Sequence, residues 1–351
     1  MDIHKDYFLP PEWYKQSGVM LTWPHKDTDW TLYLEEITDT YIKLTMYIAR
    51  YEKVIIATPY VSDVKAKLLG CLSGEEMKNI IIVNTDSDDT WARDHGPITL
   101  VSKDEDKVCR MLDFRFNAWG EKFDYEKDNL INRNLYAAGA FNALFVGHDD
   151  FVLEGGSIES DGQGTIFTTS SCLLAPHRNQ PLTREDIESC LREYLYAERI
   201  VWLNHGNLIG DDTDGHIDTI VRIAPDDTLL YVDYGNAVDE QYEDFLALEE
   251  ELKNLRTMSG NGYRLLALPM PDAVYYDGER LPATYANFLV INGAVIVPVY
   301  GQSENDEKAK NVIGKAFPNR DIIGVDASVI VRQHGSIHCL TMQLPEGMLR
   351  N

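Results

Sequence analysis

The sequence predicts an α/β protein, and three observations lead to this fold class. Segments with the 3.6-residue periodicity of helices recur along the chain, and each precedes a short apolar run rich in β-branched residues. Two other segments hold paired apolar runs around turn residues, as β-hairpins do. No GxGxxG motif opens a helix after a strand and no GxxxxGK[ST] loop is present, so nucleotide-dependent chemistry is not expected.

The helix–strand units number six and follow one another without a strict residue period. Their helices are predicted at 33–51, 61–69, 128–140, 183–195, 241–255 and 307–317, and their strands at 54–59, 79–84, 143–148, 199–204, 264–271 and 321–327. The hairpins are predicted at 219–235 and at 288–301, where Asn292-Gly293 favours a tight turn. No linker or low-complexity tract interrupts the chain, so we expect a single domain over residues 1–351.

The composition limits the classes of partner. The 351 residues include 32 Lys and Arg against 57 Asp and Glu, a net charge of −25. Such a chain repels phosphate backbones and attracts small cations, so nucleic acid is not an expected partner. No stretch approaches the ~18 apolar residues of a membrane span, and the first residues lack the features of a secretory signal. We therefore expect a cytoplasmic protein that binds no membrane, and a second copy of the chain stays open as a partner.

The five cysteines are widely spaced and form no CxxC pair, so neither a disulfide framework nor a structural zinc site is expected. Four of them are interpreted as buried bystanders: Cys71, Cys109, Cys172 and Cys190. Cys339 differs, because it lies in a small-residue turn, GSIHCLT, that enters an apolar strand. Its neighbours favour a nucleophile over a core thiol, and a cation beside it would help the thiolate to form.

Polar, glycine-containing segments between apolar strands are the candidates for a site. They lie at 88–97, 153–159, 210–218 and 334–339. Each places reactive groups beside glycine, where a ligand can approach the backbone closely. Four such segments in one chain predict a shared pocket assembled from several loops.

His216 is the candidate general acid/base. The run DTDGHID surrounds it with carboxylates, and in a strand His216 and Asp218 would project from the same face. A solvated acidic turn that happens to contain histidine is the alternative interpretation. A calcium loop is a further one, although the acidic spacing does not continue as an EF-hand requires.

Two carboxylates complete the candidate set. Asp94 precedes the rigid Gly96-Pro97 turn, and Glu154 follows an apolar run, which favours a buried glutamate over an exposed turn carboxylate. His334 and His338 have the spacing of a helical zinc pair, but the residues between them disfavour a helix. His338 is also a poor base candidate, because adjacent strand residues point to opposite faces.

A thiol, a histidine and several carboxylates together suggest a cationic substrate. A guanidinium is planar and always charged, and its N–H groups match carboxylates bidentately. Carboxylates that hold it would present its central carbon to the thiolate, and its charge would stabilise that thiolate. The residues therefore point to deimination, the release of ammonia from a guanidinium.

At these residues the sequence resembles the agmatine deiminases and bacterial peptidylarginine deiminases of the guanidino-group-modifying superfamily. Six ordered blocks carry the resemblance: TWARDHGP at 90–97, DFRFNAWG at 113–120, LEGGSIESDGQGT at 153–165, GDDTDGHID at 210–218, ATYANFLVINGAVIVP at 283–298 and GSIHCLT at 335–341. Two of them depart from the family pattern. The family's WIRDTGP is WARDHGP here, and its GGGNIHC is replaced by a segment that ends in HGSIHC.

The resemblance implies a five-fold pseudo-symmetric β/α propeller of ββαβ modules. The six predicted helix–strand units exceed five modules by one, so the helix at 61–69 is assigned to the module of the helix before it. The resemblance also implies site residues, with no cofactor or metal. Cys339 would be the nucleophile, His216 the acid/base and Glu154 a further catalytic group. Asp94 and Asp218 would grip the guanidinium, Asp212 would meet the distal amine, and Trp91 would line the alkyl chain.

The implied reaction is the conversion of agmatine to N-carbamoylputrescine and ammonia through a covalent amidino-cysteine. Arginine or peptidyl-arginine would be alternative substrates. Two other classes of protein stay open. A metal-dependent hydrolase would use His216 and Asp218 with His334 or His338. A non-catalytic protein would bind a polyamine without turnover.

Overall fold

The computed structural model of the chain describes residues 6–104 and 108–350. Its strands are β1 (Tyr7–Phe8), β2 (Gln16–Thr22), β3 (Lys53–Thr58), β4 (Ile80–Asn84), β5 (Ile98–Ser102), β6 (Cys109–Arg115), β7 (Ala143–Val152), β8 (Ile158–Ser160), β9 (Thr165–Thr169), β10 (Arg199–Leu203), β11 (Val221–Ala224), β12 (Thr228–Asp233), β13 (Arg264–Pro269), β14 (Tyr275–Tyr276), β15 (Glu279–Arg280), β16 (Leu289–Ile291), β17 (Ala294–Val299), β18 (Asp321–Asp326) and β19 (Thr341–Pro345).

The helices alternate with these strands. They are α1 (Leu34–Ala49), α2 (Val61–Cys71), α3 (Gly74–Lys78), α4 (Ala92–His95), α5 (Ala118–Glu121), α6 (Ile131–Ala137), α7 (Ser170–Leu173), α8 (Arg184–Leu195), α9 (Tyr242–Asn254) and α10 (Ser303–Ala316). Short 3₁₀ helices lie at Asp29–Tyr33, Asp128–Leu130, Gly155–Ser157, Ile217–Thr219 and Ile330–Gln333. Each of the six predicted helix–strand units is present, and so are both hairpins, which confirms the mixed α/β class.

The chain divides into two compact units. The first comprises Met1–Gly155 with Cys339–Asn351, and it contains a sheet of order β1-β5-β6-β7 and a sheet of order β19-β2-β3-β4. β19 pairs antiparallel with β2, so the last strand of the chain completes a sheet begun near its start. The core of this unit consists of apolar side chains from both sheets and from α6, among them Met20, Met111 and Leu135.

The second unit comprises Gly156–His338. It contains three-stranded sheets of order β10-β9-β8, β11-β12-β13 and β16-β17-β18, and the short pair β14-β15. Its helices bury one apolar stripe each, as the spacing of Phe245, Leu248 and Leu252 in α9 illustrates. The prediction of a single domain over residues 1–351 stays a prediction.

One connection pattern recurs in both units. An antiparallel pair is followed by a helical crossover to a parallel third strand, and the described residues contain five such ββαβ sets: β19-β2-β3, β5-β6-β7, β8-β9-β10, β11-β12-β13 and β16-β17-β18. β4 pairs parallel with β3, so the segment with the helix at 61–69 extends an existing sheet, as expected. The arrangement of the modules as a five-fold propeller stays a prediction.

None of the helices in the described residues combines the length and the apolar character that a bilayer crossing requires.

Candidate active site

Asp94 lies in the first unit on the short helix α4 and is 3% exposed. The indole Nε1 of Trp119 donates a hydrogen bond to Asp94 Oδ2 at 3.0 Å. Trp119 is presented by a left-handed turn, because Ala118, Trp119 and Gly120 have φ values of 48°, 56° and 94°. Left-handed backbone angles are unfavourable for residues other than glycine. The orientation of the Trp119 indole therefore depends on a strained backbone.

Two backbone contacts tie the Cys339 turn and the Glu154 turn to α4. The N–H of Arg93 donates to the carbonyl of Cys339 at 3.1 Å. A Cβ on Gly155 would lie 2.3 Å from the carbonyl oxygen of Arg93, so only glycine permits this packing. Glu154 is completely buried and Cys339 is 5% exposed. The segments that carry Asp94, Glu154 and Cys339 therefore meet within the first unit, and Glu154 is buried as predicted.

Trp91 belongs to an aromatic cluster built around a carboxylate. Asp89 accepts hydrogen bonds from the indole Nε1 atoms of Trp30 and Trp91, both at 2.9 Å. Burial and the negative charge of Asp29 raise the pKa of Asp89 to about 7. The Trp91 ring also contacts the rings of Trp30 and Trp119, with centroids 5.7 and 6.4 Å away. Asp89 thus fixes the ring that was predicted to line the substrate chain.

The other cysteines differ in exposure. Cys109 and Cys172 are buried, Cys190 is partly exposed, and Cys71 is exposed, so the prediction of a buried thiol is wrong for Cys71. Burial raises the pKa of the Cys109 thiol to about 11, which disfavours its reactive thiolate form.

In the second unit, a network of short hydrogen bonds shapes the segment before His216. Asp211 accepts from the hydroxyl of Thr213 and from the N–H of Gly215, both at 2.7 Å. The hydroxyl of Thr213 in turn accepts from the N–H of His216 at 3.0 Å. Gly215 has a φ of 98°, and a Cβ there would lie 2.4 Å from the hydroxyl of Ser171. His216 is completely buried.

His216 and Asp218 do not lie in a strand, so the argument that a strand would place them on one face does not apply. Residues Ile217–Thr219 form a 3₁₀ helix, and His216 precedes it as the N-cap residue. The hydroxyl of Thr219 donates to the carbonyl of His216 at 2.8 Å, and this local bond favours the turn over an extended backbone. Asp218 is completely buried immediately after His216 and Ile217.

His338 contacts one of the candidate carboxylates, and its interpretation as a poor base candidate stays a prediction. Its Nδ1 lies 2.7 Å from Asp218 Oδ2. Residues 337–340 form a turn, so the alternation of strand faces does not apply to them. Burial alone would raise the pKa of Asp218, but the bond to His338 and the positive charge nearby, including that of Arg222, lower it below its usual range.

The acidic residues of two segments have partners within the protein. Asp88 pairs with Lys127 at 2.6 Å, and Asp214 pairs with Arg178 at 2.6 Å. Asp89 and Asp211 accept the bonds described above. These four carboxylates therefore have structural roles, and Asp212 and Asp218 are the acidic residues of 210–218 for which substrate binding stays proposed.

His334 and His338 do not form the helical pair that their spacing allows. The 3₁₀ helix Ile330–Gln333 ends before them, and His334 has a left-handed φ of 64°. Its Nδ1 lies 2.6 Å from the carbonyl oxygen of Gly210. The two-histidine zinc arrangement on one helix face is therefore absent from this described segment.

Sequence reasoning missed two residues that contact the candidate carboxylates. Trp119 binds Asp94, and its block, DFRFNAWG, was conspicuous only through the resemblance. His338 binds Asp218 across 120 positions of sequence, and no spacing rule predicts such a pair. The remaining candidates stay predictions in their catalytic roles, although the structure buries each of Cys339, His216, Glu154, Asp94 and Asp218.

Comparison with known proteins identifies the family. The model of the Porphyromonas-type peptidyl-arginine deiminase family matches residues 8–345. A curated protein of Marinomonas sp. named "Putative agmatine deiminase" is 33% identical over 96% of this chain and 94% of its own length. The chain belongs to this deiminase family. The predicted enzyme class, a hydrolase of C–N bonds in linear amidines, is thereby confirmed.

Solved structures of the family have the same fold. A structure described as the "Putative Arginine Deiminase" of Porphyromonas gingivalis is 45% identical, covers 98% of this chain and all of its own, and has a TM-score of 0.91. A cysteine-to-serine variant of the C. jejuni agmatine deiminase with substrate bound is 39% identical, with a TM-score of 0.89. That match covers 98% of this chain and 97% of the C. jejuni chain.

Proposed function

We propose that the chain is an agmatine deiminase, which hydrolyses the guanidinium of agmatine to N-carbamoylputrescine and ammonia. One observation carries the proposal. The buried segment of Asp94 contacts the Cys339 turn through the 3.1 Å bond from Arg93 N to Cys339 O, and the buried segment of Glu154 packs against the same Arg93 through Gly155. Carboxylates beside a thiol suit a planar cation whose central carbon is attacked.

The first half of the proposed reaction forms a carbon–sulfur bond. The Cys339 thiolate attacks the guanidinium carbon while Asp94 and Asp218 hold the guanidinium nitrogens and Glu154 orients them. Protonated His216 gives its proton to one nitrogen, which leaves as ammonia. The products of this half are an amidino-thioether on Cys339 and a neutral imidazole.

The second half breaks that bond. Neutral His216 takes a proton from a water molecule, whose oxygen attacks the same carbon. The Cys339 thiolate leaves, the added hydroxyl gives its remaining proton to solvent, and the carbon becomes the carbonyl of a ureido group. One water is consumed and one ammonia released in each turnover, and the cysteine and histidine return to their starting states.

The choice of agmatine rests on charge. Agmatine carries a second cation and no carboxylate, whereas free arginine adds an anion that a site rich in carboxylates disfavours. Asp212 is the proposed partner of the distal ammonium. A ten-fold preference requires only about 1.4 kcal/mol of differential interaction, which one carboxylate can supply.

A substrate panel tests the proposal. Agmatine, free arginine and an arginine peptide are compared by formation of the ureido product and of ammonia, and agmatine is expected to have at least ten-fold the kcat/KM of arginine. Better turnover of arginine or the peptide would overturn the agmatine assignment and leave deimination standing. Binding of agmatine without ammonia release would favour the non-catalytic protein.

Cysteine variants test the mechanism. Cys339→Ser is expected to abolish turnover, because the serine hydroxyl is far less acidic than a thiol. The exposed Cys71 supplies the matched control, and Cys71→Ser should retain wild-type rates. Acid-quenched wild-type reactions should contain an adduct on the Cys339 peptide by mass spectrometry. Loss of activity in chelator would instead favour the metal-dependent hydrolase.

A further inference from the structure

A chain of buried polar side chains runs behind Asp218 in the second unit. His338 Nδ1 lies 2.7 Å from Asp218 Oδ2, and His338 Nε2 lies 3.0 Å from Arg222 Nη2. Arg222 Nε donates to Glu159 Oε1 at 2.5 Å. Asp218, His338 and Arg222 are each at most 2% exposed. Neither the predicted mechanism nor the motif pattern assigns a role to His338, Arg222 or Glu159.

The chemistry of Arg222 fixes the tautomer of His338. A guanidinium has five N–H donors and no acceptor, so the Nε2 atom that faces it must accept. The ring proton therefore lies on Nδ1 and is donated to Asp218. Arg222 cannot turn away easily, because its Nη1 donates to the carbonyls of Ala286 and Phe288 and its Cζ lies 4.4 Å from the Phe288 ring centroid.

Asn287 holds the backbone of the same pair. Its side-chain Oδ1 accepts from the N–H of His338 at 3.0 Å, and its backbone carbonyl accepts from the same N–H at 3.2 Å. Its side-chain Nδ2 lies 3.5 Å from the carbonyl of Asp218. The imidazole and the carboxylate are thus fixed relative to each other by their main chains as well as by their side chains.

We propose that His338 is a positioning residue that donates through Nδ1 to Asp218 Oδ2 and so holds this carboxylate in one orientation, with Oδ1 directed to the guanidinium. The inference rests on the proposed function, which assigns substrate binding to Asp218. Through the ion pair with Glu159, Arg222 keeps His338 in the donating tautomer. His338 itself neither touches substrate nor transfers a proton in the reaction.

Two amide substitutions distinguish the contribution of His338 Nδ1 from that of Nε2. The amide of His338→Asn falls near the position of Nδ1 and can still donate to Asp218, whereas that of His338→Gln falls near Nε2 and serves Arg222 alone. We expect His338→Gln to lower kcat/KM for agmatine by roughly ten-fold or more, the scale of a lost hydrogen bond to a charged group. His338→Asn should recover most of that loss. The reverse order, or equal loss in both variants, would overturn the proposal.

The pH profile supplies a readout that a merely structural role would not move. Without the donated bond the pKa of Asp218 should rise, so the acidic limb of kcat/KM should move to higher pH in His338→Gln and much less in His338→Asn. An unmoved limb in His338→Gln would contradict the positioning role. The rates are measured per folded protein, well below the melting temperature of each variant.

The matched control is a second histidine–aspartate pair of the same unit. His205 Nδ1 lies 2.9 Å from Asp244 Oδ1 on the surface, and His205→Gln should leave both kcat/KM and the pH profile unchanged. A shift in this control as large as that of His338→Gln would also overturn the proposal, because any histidine-to-glutamine exchange would then suffice.

A measurement on the wild-type chain tests the tautomer of His338 directly. ¹⁵N-histidine NMR should find one imidazole that stays in the Nδ1–H form, assigned to His338 by the loss of its signal in His338→Asn or His338→Gln. An Nε2–H tautomer would overturn the inference. Failure of the wild-type chain to release ammonia from any guanidino substrate would instead overturn the proposed function. The tautomer of His338 could still be measured in that case, so the two failures are distinguishable.

Discussion

His95 provides the sharpest test of the electrostatics of the first unit. It stands in TWARDHGP, where the family pattern has threonine, and it is 3% exposed. Its Nε2 lies 3.1 Å from the hydroxyl of Thr22, and its ring packs edge-on against Phe116. Burial lowers the pKa of this imidazole from 6.5 to about 3, because the charged form cannot be solvated there.

The sign and size of the effect follow from proton linkage. The unfolded chain binds a proton at this histidine below pH 6.5, whereas the folded chain does so only near pH 3. The free energy of unfolding therefore falls as the pH is lowered from 6.5 towards 3. Each pH unit in this window costs about 1.36 kcal/mol, so the chain should lose about 2 kcal/mol through His95 between pH 7.5 and 5.

His95→Gln removes the titration and keeps a polar group near Thr22. Packing defects should make the variant less stable than wild type at pH 7.5. The difference between their free energies of unfolding should become about 2 kcal/mol smaller at pH 5. Urea unfolding at several pH values, followed by tryptophan fluorescence, measures the difference, since five of the six tryptophans lie in the same unit. Parallel pH profiles for the two proteins would refute the reasoning.

Three further substitutions have defined outcomes. His216→Ala should lower kcat by about 10²–10⁴-fold, as expected of an acid/base residue, and near-normal ammonia release would contradict that role. Asp212→Asn should narrow the preference for agmatine over arginine by weakening agmatine alone, which the two kcat/KM values measure. Asp89→Asn turns an amide donor towards one of the indoles of Trp30 and Trp91. The free energy of unfolding measured with urea should therefore fall by about 1.5–3 kcal/mol. An unchanged urea midpoint would mean that the two hydrogen bonds to Asp89 contribute nothing.

The sequence was sufficient for the parts of the fold that local interactions decide. The helix predicted at 241–255 is observed as Tyr242–Asn254, and the hairpin turn at Asn292-Gly293 has its glycine at a φ of 77°. The helix depends on side-chain periodicity and the turn on one backbone requirement, and neighbouring residues reveal both. The arrangement of the modules could be predicted only from the family resemblance, because it depends on pairing between strands that are far apart in sequence.

The wrong predictions have two physical causes: local side-chain-to-backbone hydrogen bonds that hydrophobic periodicity does not reveal, and partners that are distant in sequence. The segment His216–Asp218 contains residues compatible with a strand, yet bonds from Thr213 and Thr219 favour the turn. Strand geometry made His338 a poor base candidate, and no local pattern indicated its contacts with Asp218 and Arg222, each more than a hundred residues away. Local periodicity carries no information on such pairs.

The net charge of −25 would not by itself explain the proposed selection of a dication. Asp89 holds two indoles, Asp211 organises the turn before His216, and Asp214 pairs with Arg178. These carboxylates position other groups of the protein, and their hydrogen bonds and ion pairs partly offset their negative charge. If Asp212 alone meets the distal ammonium, then the preference for agmatine depends on one interaction of roughly 1.4–2.8 kcal/mol. A single substitution should then remove most of the discrimination while the deimination chemistry, which depends on Cys339 and its neighbours, continues.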